Sequence, residues 1–320
     1  MLSRVADSLY WMSRYLERAE HTARLLDVHS ILMLERVSKT EDNKRWLRIL
    51  EALRVPVTPE SGDYDTFINT ITLNHNNSFS VLSAIRLARE NARQVRERIS
   101  TEMWSELNQL YLFAIDMRNI ANISHGQLHD FFTQVKNRIH TFQGITDSTM
   151  SHNEGWHFIQ LGRGIERAIS VSVLLDVQYA GMSRFDSIGS VDEYFEWLAL
   201  LKSCTAFEAY TKVYSADLRP DRIAEFLLLN EEFPHSVRFC ADSIAQSLSA
   251  IASATSTSRN SRVHRLAGRL QANLNFDQID DIIREGLHHY LREIQSQCAS
   301  IHKLVYETFI AYPVDSALSG

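Results

Sequence analysis

Apolar residues in the first part of the chain recur at alternating intervals of three and four positions. The residues that carry this pattern are Leu9, Met12, Leu16, Ala19, Ala23 and Leu26. Such spacing places apolar side chains on one side of an α-helix. The pattern therefore predicts a long helix at the amino terminus, with one face directed towards a core.

Similar periodic segments follow along the rest of the chain. They predict helices near 42–54, 64–73, 79–99, 102–118, 127–142, 154–181, 190–214, 220–229, 235–254, 261–271 and 276–311. Breaks are expected at Pro56 and Pro59, at Gly144 with Thr146 and Asp147, at Pro220, at Pro234, in the Ser/Thr-rich stretch 253–261 and at Pro313. Only 11 Gly and 5 Pro interrupt 320 residues. We predict an all-α, multi-helix bundle that forms a single domain over residues 1–320.

Part of the first helix is repeated later in the chain. Residues 9–28 align without gaps onto residues 158–177, and eight of these twenty positions are identical. The identical pairs include Arg14 with Arg163, Glu17 with Glu166, and Arg18 with Arg167. A weaker echo pairs Ser80-Val81 with Ser236-Val237. The repeat predicts two helical halves, about 1–150 and 151–320, related by a pseudo-two-fold axis.

The repeated charges lie outside the apolar stripe, yet both copies retain them. We therefore expect both sides of each helix to be covered and the two charge clusters to converge. Arg14 can pair with Glu17 three residues on, whereas Arg14 and Arg18 repel each other unless an anion lies between them. The clusters hold two excess positive charges, which require further carboxylates or an anionic ligand. Candidate carboxylates are Asp147, Glu90, Glu97 and Glu154. A structural salt-bridge network and a ligand site both remain open.

Composition argues against several classes of protein. The net charge of -6 disfavours a nucleic-acid binder, and no segment approaches the roughly 20 apolar residues of a membrane span. The amino terminus does not have the pattern of a signal peptide, so a cytoplasmic location is expected.

Glu154 with His157 and Glu285 with His288 have a spacing that di-iron proteins use. Arginines beside Glu17 would oppose a cation there, so we expect no metal and no cofactor.

Several long strings resemble the bacterial alpha-E domain family. They are MLSRVADSLYWMSRYLERAEHTARLLDV, NNSFSVLSAIRLARENARQVRERISTEMWSELNQL and GITDSTMSHNEGWHFIQLGRGIERA, followed by FEAYTKVY and FPHSVRF. Ser13 stands where this family commonly has glycine. The resemblance implies an all-helical protein that is associated with circularly permuted ATP-grasp proteins, often alongside transglutaminase-like peptidases, in peptide or amide-bond formation.

The resemblance also marks candidate binding residues, because these match family motif positions: Arg14, Arg18, Arg163, Arg167, Asn91, Arg93, Trp104 and Asp147. Three functions follow as hypotheses. The chain is an accessory subunit of an ATP-grasp ligase that binds an anionic or peptide substrate in an arginine-lined cleft. Alternatively, it is an enzyme that uses Glu17 or Glu166 as acid or base, or it is a structural interaction module.

Overall fold

The computed structural model describes residues 1–34, 39–56, 64–120, 124–180, 188–215, 217–255 and 261–310, except for the side chains of 33, 34, 39–45 and 64–66. All regular structure within these ranges is helical. This confirms the predicted all-α class. None of the described helices is long and apolar enough to cross a bilayer. The breaks expected at Pro59, within 256–260 and at Pro313 lie outside the described residues.

Fourteen α-helices lie in the described ranges. Their bounds are α1 Ser3–Leu34, α2 Lys39–Ala52, α3 Tyr64–Thr72, α4 Val81–Gln94, α5 Thr101–Arg118, α6 His125–Thr149, α7 Glu154–Tyr179, α8 Val191–Ser203, α9 Phe207–Tyr214, α10 Pro220–Leu229, α11 Val237–Thr255, α12 Arg262–Phe276, α13 Ile279–Glu285 and α14 Leu287–Val305. A 3-10 turn spans Arg96–Arg98, and a π-helical turn spans Tyr306–Ile310.

The two longest helices, α1 and α7, pack directly against each other. α1 also packs against α4 and α6, while α7 packs in the same way against α11 and α14. The outer contacts repeat as well, since α5 touches α4 and α6, and α12 touches α11 and α14. The apolar stripe predicted on α1 is buried throughout its length. This packing order agrees with two related halves, whose pseudo-two-fold relation remains a prediction.

The weak echo between the halves corresponds to one turn built twice. The Ser80 hydroxyl donates to the Asn74 carbonyl oxygen at 2.8 Å and accepts from the Ser83 amide at 3.1 Å. Ser236 makes the same two kinds of bond, to the Asn230 carbonyl and from the Phe239 amide. Each serine thereby caps the helix that packs on α1 or α7.

Several predicted boundaries are wrong. Gly144, Thr146 and Asp147 lie inside α6, which continues to Thr149 because glycine alone does not end a helix. The segment predicted as 190–214 breaks at Thr205, whose φ is +54°. The segment predicted as 276–311 breaks at Gly286, whose φ is +116°, a conformation that glycine adopts without steric cost.

Candidate functional site

The central helices exchange charged side chains. From α1, Arg14 Nε donates to Glu166 Oε2 at 2.7 Å and Arg18 Nε donates to Glu166 Oε1 at 2.7 Å. The carboxylate of α7 thus lies between the two arginines, which the repulsion between Arg14 and Arg18 required. The expected local pair of Arg14 with Glu17 does not form. Both oxygens of Glu166 bind across the helix interface instead.

The second copy makes a matching bond in the opposite direction. Arg167 of α7 donates to both carboxylate oxygens of Glu17, at 2.5 and 3.0 Å. Its third nitrogen donates to the Pro234 carbonyl oxygen at 3.0 Å. Arg163, the counterpart of Arg14, instead donates to Gln160 on its own helix. Arg18 and Arg167 therefore each bind the glutamate of the opposite helix. Arg14 also does so, but its counterpart Arg163 does not.

These charges lie deep in the molecule. The side chains of Arg14 and Glu166 are each 7% exposed, and that of Glu17 is 3% exposed. Burial would raise the pKa of Glu166, but the charges and hydrogen bonds of Arg14 and Arg18 outweigh burial and lower it. Burial would likewise lower the pKa of Arg14, but the charges of Glu166 and Tyr10 and the hydrogen bonds to both together outweigh burial and raise that pKa. Arg14 and Glu166 therefore stay ionised together.

Aromatic rings surround the first of these arginines. The Arg14 guanidinium lies over the rings of Trp11, at 4.9 Å, and Tyr10, at 5.6 Å. Its Nη1 donates to the Tyr10 hydroxyl at 3.3 Å, and that hydroxyl lies 2.8 Å from His302 Nδ1. A continuous chain of polar contacts therefore runs from buried Glu166 to the partly exposed His302 of α14.

Arg54 is a third positive charge that interacts electrostatically with Glu166. It follows α2 with φ of +56°, and its Nη2 donates to Gln295 of α14 at 3.4 Å. Burial lowers the pKa of Arg54, the charges of Arg292, Arg14 and Arg18 lower it further, and Glu166 opposes them. We call Arg14, Arg18, Arg54 and Glu166 the Glu166 cluster. No sequence pattern had indicated Arg54, because neither a motif nor a periodic position marks it.

Comparison with known proteins agrees with this geometry. Residues 1–310 match the Alpha-E family model, which is described as a predicted alpha-helical domain with a conserved ER motif. The chain belongs to the Alpha-E family. Two of its Glu-Arg dipeptides, Glu17-Arg18 and Glu166-Arg167, supply the crossed ion pairs of α1 and α7.

The curated relatives of this Alpha-E chain are uncharacterized. One from Mycobacterium bovis is 22% identical over 93% of this chain, and two from Mycobacterium tuberculosis are 22% and 21% identical over the same share. The chain spans only 35% of the length of each of these relatives. No solved structure matches it.

The Glu17 side of the Alpha-E interface carries more compensating groups. Glu20, which is buried, accepts from Arg24 and lies 3.6 Å from His140 Nε2. Burial, followed by the charge of Arg167, lowers the pKa of His235 well below its usual value. The positive charges here are therefore better balanced than those around Glu166.

A separate cluster on α4 and α5 contains three other predicted site residues. Asn91 donates to the Leu87 carbonyl oxygen at 2.8 Å, which satisfies it within its own helix. Arg93 is exposed and its Nε lies 3.0 Å from Glu90. Trp104 lies below the guanidinium of Arg89, at 5.4 Å. Arg89 itself donates to Asn108 and to Glu90, the partner of Arg93.

The expected carboxylates do not bind the central arginines directly. Glu154 pairs with the amino group of Met1 at 3.0 Å, and Glu90 pairs with Arg93. Asp147 is exposed at the end of α6, with its carboxylate 3.8 Å from His152, and only its longer-range charge acts on Arg163. The central glutamates themselves supply the counter-charges.

Several residues considered for a di-metal site or for acid-base chemistry make other contacts in this structure. In the described part of the chain, no three His, Cys, Asp or Glu side chains are grouped to hold a metal ion. His288 contacts Asp176, and Glu154 contacts Met1. A general base works best with a pKa near the operating pH, whereas the arginines lower that of Glu166.

Proposed function

We propose that this Alpha-E chain is the accessory subunit of an ATP-grasp-type peptide or amide-bond ligase, and that the Glu166 cluster binds an anionic group of its substrate. The observation that carries the proposal is the charge of that cluster. Two of its guanidinium groups, those of Arg14 and Arg18, bind a single carboxylate, and the charge of Arg54 also acts on that carboxylate, so two positive charges remain. Paired guanidinium groups are suited to a carboxylate or phosphate.

The exposed edge of the cluster gives such a ligand a route in. The Arg18 side chain is 33% exposed, while Glu166 is 7% exposed, and Arg54 lies at the surface. Trp11 and Tyr15 stack at 5.3 Å, and the Arg18 guanidinium lies 5.5 Å from the Tyr15 ring. A peptide could place its carboxylate between Arg18 and Arg54 and its apolar part on the two rings.

Two further observations support a partner rather than an independent enzyme. The relatives are nearly three times as long as this chain, since it spans 35% of them, so they have room for a second domain. The arginines also hold Glu166 as a carboxylate instead of leaving it free to exchange protons. The family resemblance implies a circularly permuted ATP-grasp protein as that partner, often with a transglutaminase-like peptidase.

Coexpression with an ATP-grasp protein of the same organism tests the proposal. We expect the two chains to copurify and the release of ADP to depend on the Alpha-E chain. Arg18→Ala combined with Arg54→Ala should raise the KM for the acceptor about tenfold or more, because two charge-assisted contacts are lost, and should leave association intact. The control is Arg4→Ala with Arg118→Ala, two exposed arginines outside the cluster. ADP release that is the same without the Alpha-E chain would contradict the proposal.

The same material separates the alternatives. Turnover by the purified Alpha-E chain alone, abolished by Glu17→Gln in a folded variant, would favour an acid-base enzyme. Association with the partner that is unaffected by substrate and by the Arg18 and Arg54 substitutions would favour a purely structural module.

A further inference from the structure

An aspartate of each central helix holds a histidine of a neighbouring helix. Asp176 of α7 has a side chain that is 4% exposed, and its Oδ1 contacts Nδ1 of His288 of α14, whose side chain is 69% exposed. Because an ionised carboxylate only accepts hydrogen bonds, Nδ1 donates, and Nε2 is the acceptor of the neutral ring. A buried carboxylate that orients an imidazole in this way is how proteins position a histidine base. We call Asp176 and His288 the α14 dyad.

The first half of the chain contains the same arrangement, which we call the α6 dyad. Asp27 stands 149 positions before Asp176, and its Oδ1 lies 2.7 Å from Nδ1 of His129 of α6. A cation binds the second carboxylate oxygen in both copies, Lys136 at 2.5 Å from Asp27 and Arg292 at 2.8 Å from Asp176. The α6 dyad is therefore a matched control for the α14 dyad within one chain.

The α14 dyad is aligned with the Glu166 cluster along α14. His288, Arg292 and Gln295 are four and three residues apart, so they share one face of the helix. Gln295 accepts from Arg54 of the Glu166 cluster at 3.4 Å, and Arg54 is exposed. The seven residues from His288 to Gln295 cover roughly 10 Å at 1.5 Å per residue. Arg54 and His288 therefore stand at opposite ends of one polar row.

The length of this row fits a short extended peptide. An extended chain covers at most about 3.3–3.6 Å per residue, so about three residues bridge Arg54 and His288. A peptide whose carboxylate lies between Arg18 and Arg54 has its amino group, three residues away, beside the exposed imidazole. An amine must lose a proton to attack an acyl group, and histidine is the side chain that most often accepts one.

We propose that His288 accepts a proton from the amino group of an acceptor peptide of about three residues, whose carboxylate the Glu166 cluster binds. The inference rests on the proposed ligase function, in which ATP activates a second carboxylate as an acyl phosphate. One proton of the ammonium group passes to Nε2 and on to solvent, and the freed lone pair forms the C–N bond to the acyl carbon. The C–O bond to phosphate breaks, and phosphate leaves with its electron pair and with the second proton of the nitrogen.

The chain alone tests the position of the peptide. Diethyl pyrocarbonate acylates accessible histidines, and mass spectrometry measures the modification of His288 and His129 separately. Saturating trialanine with free ends should largely prevent modification of His288, whereas dialanine and C-terminally amidated trialanine should not. Arg18→Ala with Arg54→Ala should abolish this protection. Unprotected His288, or equal protection of His129, would overturn the proposal.

Turnover by the copurified pair of Alpha-E chain and ATP-grasp protein tests the proton transfer. The probes are trialanine and acetyl phosphate, a preformed acyl phosphate, and the product measured is N-acetyl-trialanine. His288→Asn should lower kcat about a hundredfold or more and change the KM for trialanine little, because the Glu166 cluster still binds the carboxylate. Free imidazole should restore turnover to His288→Ala, a rescue that a purely structural histidine does not give.

His129→Asn in the α6 dyad is the matched control and should leave kcat unchanged. Circular dichroism checks that each variant is folded. An unchanged kcat in His288→Asn, an equal loss in His129→Asn, or no rescue by imidazole would overturn the proposal.

The two proposals fail in different ways. If no ATP-grasp protein associates, the ligase function and the proton transfer both fall, while protection of His288 by trialanine still establishes where the peptide binds. If ADP release depends on the Alpha-E chain but His288→Asn behaves like His129→Asn, the ligase function stands and His288 is only a structural contact.

Discussion

Ser13 of α1 and Gly162 of α7 meet where the two central helices pack against each other. A Cβ atom on Gly162 would lie 2.5 Å from the Tyr10 carbonyl oxygen and against the Ser13 hydroxyl. That hydroxyl donates to the same carbonyl at 3.0 Å. The two residues also correspond in the alignment of residues 9–28 with 158–177. The absence of a side chain at Gly162 therefore sets how closely the two charged helices approach.

Gly162→Ala should destabilise the chain by about 1–3 kcal/mol or more, because backbone cannot yield as a flexible side chain does. Gly144→Ala is the control, since Gly144 lies inside α6 with nothing within 4 Å of an added Cβ. Alanine there should stabilise by about 0.5–1 kcal/mol through helix propensity. Urea unfolding measures both changes. Equal effects would show that the contact at Gly162 is unimportant.

Glu166→Gln should destabilise the fold by about 3–5 kcal/mol, because it leaves the buried Arg14 without its counter-charge. Glu285→Gln, at an exposed position, should change stability by less than about 0.5 kcal/mol. The free energy of unfolding from denaturant titration is the measurement. A loss below 1 kcal/mol for Glu166→Gln would mean that water reaches the arginines freely.

A double-mutant cycle on Glu17 and Arg167 should yield a coupling free energy of about 1–3 kcal/mol. Glu17→Leu or Arg167→Met alone leaves one buried charge, whereas the double variant removes both. The double variant should therefore be more stable than either single variant. Strict additivity would contradict the bond between the two side chains.

His302 should make stability depend on pH. Burial, then the charge of Arg14, lowers its pKa from 6.5 to about 4. Between these values the unfolded chain binds a proton that the folded chain does not, so stability falls as pH decreases from about 6.5 towards 4. His302→Gln should flatten this part of the pH profile, whereas His289→Gln at an exposed position should not. Unfolding free energies at pH 7.5, 6 and 5 test it.

Sequence periodicity predicted the buried stripe of α1 and the enclosure of Arg14 and Glu17, because both follow from helix geometry and from charges that two copies share. It did not predict that Arg14 would bind Glu166. The sequence indicates the local pair of Arg14 with Glu17, whereas the pair with Glu166 forms only because tertiary packing brings α1 and α7 together. Predicted helix boundaries were wrong where a single backbone conformation ends a helix, as at Thr205.

Parts of the site left no trace in the sequence. Tyr10 and His302 touch although 292 positions separate them, and Arg54, in the turn after α2, contacts Gln295 of α14. Asp176 meets His288 because α14 packs on α7. Contacts between distant segments depend on how the helices pack, and one sequence carries no direct record of this.

Because of the crossed ion pairs, each half of the chain depends on the other half for its folding. A cut between α6 and α7 would leave Arg14, Glu17 and Arg18 on one fragment, while Glu166 and Arg167, to which they bind, would lie on the other. The covalent connection supplies the complementary helix at a high effective concentration, so what would otherwise be an assembly governed by dilution becomes a single folding event.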